Sequence, residues 1–170
     1  MPQCLLTSKK FSVERRVSTR SGNKPVTFDV VVHPGAVVVL PLLDAQRIVM
    51  IRNFRYTVAQ ELWEFPAGTA EPGEPPIETA KRELAEETGY SPSRLTPLGE
   101  FYTSPGFTDE LMRAFVATGL QRTPRDLDEN EKIEVEIVAI DRVRRMLMQG
   151  ELKDAKTIAT LATYFLREAL

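Results

Sequence analysis

Residues 68–90, GTAEPGEPPIETAKRELAEETGY, read as a loop, a helix and a stop. Gly68, Pro72 and Gly73 are turn formers, and Pro75-Pro76 sets proline at the start of a helix, where a missing N–H costs nothing. Gly89 stands where a left-handed residue closes a helix. At about 100° per residue, Ile77, Ala80, Leu84 and Thr88 fall on one stripe, which is expected to face a core. Glu83, Glu86 and Glu87 fall on an arc away from that stripe, at i, i+3 and i, i+4 spacings that make them neighbours.

That grouping works against the helix. Like charges at these spacings destabilise it, and all three lie in the last turns, where the helix dipole does not favour anions. Glu78 and Arg82, acid before base at i, i+4, are expected to offset part of the repulsion. Two readings fit. The stripe is a solvated face built from a good helix former, or a divalent cation relieves it. Clustered carboxylates suit Mg²⁺ or Mn²⁺, which take hard oxygen ligands together with water and phosphate.

The remaining chain bounds the choice. Its 170 residues, 42% apolar and 27% charged, can bury a core and show no repeat. A net charge of -2 offers no broad basic surface for nucleic acid or an anionic membrane, so a polyphosphate would need local arginines and metal. Cys4 is the sole cysteine, so an internal disulfide or a zinc site is excluded and a reducing compartment favoured. No signal-peptide pattern or membrane-spanning run is present, and the expectation is a soluble cytoplasmic protein.

Written as a pattern, the opening stretch is Gly68, five residues, Glu74, seven residues, then Arg82-Glu83-Leu84-x-Glu86-Glu87-x-Gly89-Tyr90. It resembles the signature box of the Nudix hydrolases, with every fixed position filled. The resemblance implies an α/β fold, an α/β/α sandwich around a mixed sheet, and hydrolysis of a nucleoside diphosphate linked to another group. It further implies that Glu83, Glu86 and Glu87, with the Ala67 carbonyl, hold two or three Mg²⁺, for which Mn²⁺ can substitute. Glu74 and Arg82 are expected to brace the loop and helix by a salt bridge, with Gly68 and Gly89 as structural positions of the box.

Residues 11–17 and 26–32 flank the turn signal Ser21-Gly22-Asn23-Lys24-Pro25 and read as a hairpin. Residues 1–32 thus form an N-terminal β ribbon ahead of a main domain at 33–170. A ribbon has little core of its own. It is either a flap on its own domain or, as in ADP-ribose pyrophosphatases of the Nudix family, a homodimerisation element. His33, beside Pro34-Gly35, reads as structural. Residues 36–41 (AVVVLP) and 47–52 (RIVMIR) read as strands, the first a continuous apolar run suited to a central position.

Arg52-Asn53-Phe54-Arg55 places two arginines near a strand end, where guanidinium groups can grip phosphate. The segment is similar to the "Arg-Gln-x-Arg" stretch of ADP-ribose pyrophosphatases, with Asn53 in place of Gln, and Arg55 matches an arginine that touches substrate. ELWEFPAG at 61–68 is similar to the run that enters the box, and makes Glu64 a substrate or supporting group. Ser104-Pro105-Gly106 resembles the downstream marker of ADP-ribose hydrolases, with Glu110 matching an acid near the terminal ribose. Phe28 is either a buried strand aromatic or an adenine-stacking group across a dimer.

Residues 95–102, 111–120 and 133–140 read as further strands, and the acidic loop before the last carries Glu129 and Glu131. By the resemblance, Glu131 can reach the attacking water. Glu86, Glu131 and metal-generated hydroxide all remain open as the base. Two helices follow, one capped by Asp141 and ended by Gly150, the other capped by Asp154 with Ile158, Leu161, Ala162, Phe165 and Leu166 as its core stripe. The implied activity is Mg²⁺-dependent hydrolysis of the ADP-ribose pyrophosphate bond to AMP and ribose 5-phosphate. The alternatives are GDP-mannose or another nucleoside-diphosphate sugar as substrate, and a non-catalytic ADP-ribose sensor. The sensor is disfavoured because no acid of the box is missing.

Overall fold

The run AVVVLP is buried at all six positions, as a strand covered on both faces must be. It is the fourth strand of a computed structural model that describes residues 2–19, 24–127 and 132–169. In chain order the elements are β1 (Gln3–Thr7), β2 (Ser12–Ser18), β3 (Val26–Val32), β4 (Ala36–Pro41), β5 (Arg47–Arg55), β6 (Gln60–Glu64), β7 (Ala67–Thr69), α1 (Pro76–Thr88), β8 (Tyr90–Tyr102), β9 (Leu111–Arg122), β10 (Ile133–Ala139), α2 (Ile140–Gln149) and α3 (Ala155–Glu168).

The strands make three sheets, ordered β7-β4-β9-β8, β10-β5-β6 and β1-β2-β3. The first is mixed: β4 runs parallel to β9, and the β4–β7 and β8–β9 pairs are antiparallel. Alternate residues of β4 serve opposite layers. Val37 and Val39 pack with Ala80 and Leu84 of α1, and with Phe115 and Ala117 of β9. Ala36, Val38 and Leu40 pack with Ile48, Met50 and Phe65, with Val143 and Met146 of α2, and with Leu161 of α3. Helices therefore cover both faces, giving the expected α/β/α sandwich around a mixed sheet.

The hairpin forms with full register from Ser12↔Val32 to Ser18↔Val26, and β1 adds a strand that periodicity did not reveal. Residues 26, 28, 30 and 32 share one face of β3. Val30 is 8% exposed, but Phe28 is 42% and Val26 59% exposed, so Phe28 is not a buried strand aromatic.

Local expectations failed in four places, each for a physical reason. Ile77 is 40% exposed because it stands in the first turn of α1; Thr79 is buried instead, its hydroxyl donating to Glu74. Arg82 does not pair with Glu78, which takes Lys81 at 2.8 Å, since Arg82 is drawn to three other carboxylates. Asp141 does not cap α2: β10 runs straight into the helix, Ala139 occupies the cap position, and Asp141 falls in the first turn. Leu166 is 70% exposed, in the solvent-facing end of α3, while Thr157 and Thr160 are buried in its place. Asp154 does cap α3, accepting from Thr157 N at 3.0 Å.

Candidate functional site

Helix α1 begins with Pro76 after an extended Pro75 and closes on Gly89, which is left-handed at φ 69° and donates its N–H to the Ala85 carbonyl at 2.8 Å. Between these ends its acidic arc faces β7 and the guanidinium of Arg82. Nη1 of Arg82 donates to Glu83 Oε1 at 2.8 Å and to Glu86 Oε2 at 2.9 Å. Nε and Nη2 fork onto Glu74 at 3.0 Å each, and Nη2 also reaches the Thr69 carbonyl at 3.3 Å. The predicted Glu74–Arg82 brace is therefore present, and Arg82 additionally gathers two of the helix carboxylates.

Glu74 accepts also from Glu71 N and Thr79 Oγ1. The Arg82 fork, helped by these donors, holds its carboxyl down at about 2. Arg82 itself is pushed further into the charged state, chiefly by Glu74. Glu87 is not on a solvated arc: it is 4% exposed and accepts from Ala67 N at 2.9 Å. Gly68 explains itself by space. A Cβ there would stand 2.0 Å from the Glu83 carboxyl.

Do these residues suit a divalent cation? Among the described residues no three His, Cys, Asp or Glu side chains already converge as a ligand set. The side chains account for that, because Glu83 and Glu86 are turned onto Arg82 Nη1 and Glu87 onto Ala67 N. The donor chemistry nevertheless fits. Hard carboxylate oxygens from Glu83 and Glu86 already hold a positive charge between them at hydrogen-bond distance, above a glycine that leaves them room.

The two arginines of β5 do not act together. They are three residues apart and project from opposite faces of the strand. Arg52 pairs with Glu61 and lies over the Trp63 ring at 5.7 Å. Arg55 forks onto Glu64, Nε to Oε1 at 2.7 Å and Nη2 to Oε2 at 2.5 Å, and the contact pushes Arg55 further into the charged state. Glu64 is buried, so Arg55 is anchored on an interior carboxylate that Lys156 of α3 also reaches. The two side chains thus stand on opposite faces with separate carboxylate partners, and a joint grip on one phosphate is not formed by them as they stand.

The Ser104-Pro105-Gly106 loop is tied at both ends. Phe107 N and Thr108 N donate to the Ser104 carbonyl at 3.1 Å, and Thr103 Oγ1 donates to Glu110 Oε2 at 2.6 Å. His33 accepts from Gly35 N on Nδ1 at 3.1 Å and brings Nε2 within 3.7 Å of Glu110 Oε1. A side chain at Gly106 would meet open space, so no steric demand for glycine exists there. Glu129 and Glu131 lie outside the described residues.

Three contributors escaped the sequence reading. Lys156 reaches Glu64 from α3 at 2.6 Å, and Thr157 Oγ1 accepts from Phe65 N at 2.9 Å. Arg125 donates to the Glu87 carbonyl at 2.7 Å and the Ile133 carbonyl at 2.8 Å, clamping the end of α1 to the start of β10. Nothing local in the sequence marks partners so far apart.

Residues 32–161 match the NUDIX domain. The chain is 43% identical to an ADP-ribose pyrophosphatase of Bacillus subtilis (strain 168) over 84% of its own length and 78% of that protein's. It is 38% identical, over the same shares, to a methanol dehydrogenase activator of Bacillus methanolicus. The crystal structure of an ADP compounds hydrolase superposes with a TM-score of 0.82 at 25% identity, covering 99% of this chain and 94% of that one. A glutamate-bearing helix braced on a glycine loop, in the same α/β/α setting, is what the match spans, and the chain belongs to the NUDIX domain family.

Proposed function

We propose that the protein hydrolyses the pyrophosphate bond of ADP-ribose, with Mg²⁺, to AMP and ribose 5-phosphate. The observation that carries this reading is the face of α1 on which Arg82 gathers Glu83 and Glu86 over Gly68. The likeness to the B. subtilis ADP-ribose pyrophosphatase supports ADP-ribose over other nucleoside-diphosphate sugars.

Glu83, Glu86 and Glu87, with the Ala67 carbonyl, would hold the Mg²⁺, whose chemistry is to neutralise the diphosphate oxygens and acidify water. Arg82 keeps Glu83 and Glu86 side by side, and Glu74 keeps Arg82 in place. Arg55, anchored by Glu64, offers its outer edge to a phosphate oxygen, and Glu110 in the Ser-Pro-Gly106 loop faces the terminal ribose. Arg52, on the opposite face of the strand and paired with Glu61, would not share a phosphate oxygen with Arg55. Water adds across the P–O–P bridge; its proton goes to Glu86, more exposed than Glu83 and Glu87, or to Glu131 on the acidic loop. A Glu131→Gln variant with near-normal turnover would remove the loop carboxylate.

The exposed apolar half of β3, Val26 and Phe28, supports a homodimer formed through the ribbon of residues 1–32, with 33–170 as the hydrolase domain. Phe28 belongs to that contact first; adenine stacking on it would come from the partner copy. A cytoplasmic setting suits the substrate. No described helix is long and apolar enough to cross a membrane.

The test is a substrate panel with Mg²⁺: ADP-ribose, GDP-mannose, ADP-glucose, diadenosine polyphosphates and NADH, read by phosphatase-coupled phosphate release. ADP-ribose is expected to give the highest kcat/KM. A preference for GDP-mannose would move the substrate assignment, and tight ADP-ribose binding without turnover would identify a sensor.

A further inference from the structure

Glu64 has a side chain 1% exposed, and its Oε2 serves two cations: Arg55 Nη2 at 2.5 Å and Lys156 Nζ at 2.6 Å. Lys156 is itself largely buried and also donates to Asp154 Oδ1 at 2.8 Å. Asp154 Oδ2 accepts from Thr157 N at 3.0 Å and Thr157 Oγ1 at 2.6 Å, and Thr157 Oγ1 in turn accepts from Phe65 N, the neighbour of Glu64. The contacts close into a ring that joins the start of α3 to the end of β6. None of the chemistry proposed above uses Lys156.

Charge explains why such a ring would be built. A buried carboxylate facing one guanidinium cancels it, leaving little attraction for an incoming anion. Here Glu64 Oε2 is shared with Lys156, so its charge is not spent on Arg55 alone, and Arg55 is the member whose side chain remains 40% exposed. Removing Lys156 would leave the same place one unit more negative. Partly buried charges are screened less than surface ones, so a nearby diphosphate would feel the difference.

We propose that Lys156 is a positioning residue for substrate binding, which by sharing Glu64 Oε2 keeps the Arg55 guanidinium oriented and its charge available to a phosphate oxygen. The inference rests on the reading of Arg55 as the phosphate-gripping residue. Steady-state kinetics with Mg²⁺ and ADP-ribose, on wild type, Arg55→Gln, Lys156→Met, Lys156→Arg, Asp154→Asn and the Arg55→Gln/Lys156→Met pair, separate the two.

Lys156→Met is expected to raise KM on the order of tenfold, the scale of one charge-assisted contact, with kcat within about twofold. Lys156→Arg recovers most of the loss, and the double variant is no worse than Arg55→Gln alone. Asp154→Asn keeps the helix cap and frees Lys156 for Glu64, so KM falls. This variant tests the idea even if Lys156→Met folds poorly. A raised KM in Arg55→Gln with unchanged KM in both Lys156→Met and Asp154→Asn overturns the role of Lys156. An unchanged KM in Arg55→Gln overturns the reading of Arg55 instead. A raised KM in Lys156→Met beside a silent Arg55→Gln shows that Lys156 touches substrate itself, and ends the positioning argument.

Discussion

The Glu83 carboxyl occupies the space that a side chain on Gly68 would need, 2.0 Å from the nearest Cβ position. Gly68→Ala should therefore act on the carboxylate and not on the fold, because the atom displaced is the far end of a flexible side chain. Turnover is expected to fall at least about tenfold, with a melting temperature within a few degrees of wild type. Activity equal to wild type would show that the Glu83 position does not matter.

Glu83→Gln and Glu86→Gln probe the gathered carboxylates directly. Each loses one contact to Arg82 at 2.8 or 2.9 Å but also some like-charge repulsion, so stability should change by no more than about 1 kcal/mol. Turnover should drop by about two orders of magnitude or more. Melting curves beside Mg²⁺-dependent rates check both halves. An active variant would refute the assignment.

Acid stability should report the Glu74–Arg82 fork. Glu74 is held at about 2, below its ordinary 4.5, so its ionised form stabilises the fold above pH 4.5 and that contribution drains away as pH falls towards 2. In Arg82→Met the fork is gone and Glu74 returns towards its ordinary range. Denaturant midpoints measured between pH 5 and 2.5 should fall less steeply in the variant than in wild type.

Arg125→Ala should cost about 1–3 kcal/mol, because it strips donors from the carbonyls of Glu87 and Ile133. Urea denaturation measures this.

Phe28→Asp and Val26→Asp place charges on the exposed apolar half of β3, where they disturb no intramolecular core. A dimer formed there should dissociate, shown by sedimentation as a halved mass. A monomeric wild type would dispose of the ribbon interface.

How far was this legible from residues alone? The box helix was, because prolines, glycine and period each act within a few positions; α1 runs Pro76–Thr88 with Gly89 left-handed. The apolar run of β4 declared a strand buried on both sides. Ile77 and Leu166 misled, since a helical stripe says which face turns inward and not where the neighbouring sheet stops. Arg82 chose Glu74, Glu83 and Glu86 over Glu78 because three converging acceptors outweigh one neighbour on a helix surface. Arg52 and Arg55 looked like a pair in one dimension; strand alternation separated them. Lys156 and Arg125 carried no signal, as their partners lie 92 and 38 positions away.

Strand β3 looks both ways. Val31 N donates to the Phe107 carbonyl at 2.8 Å, Asp109 N donates back to the Val31 carbonyl at 3.1 Å, and His33 N donates to Asp109 Oδ1 at 2.9 Å. The last residues of the ribbon are therefore tied by backbone hydrogen bonds to the segment that follows Ser104-Pro105-Gly106. The proposed dimer strand and the proposed substrate loop are thus hydrogen-bonded neighbours, so substrate preference is worth measuring with the amino terminus both tagged and untagged.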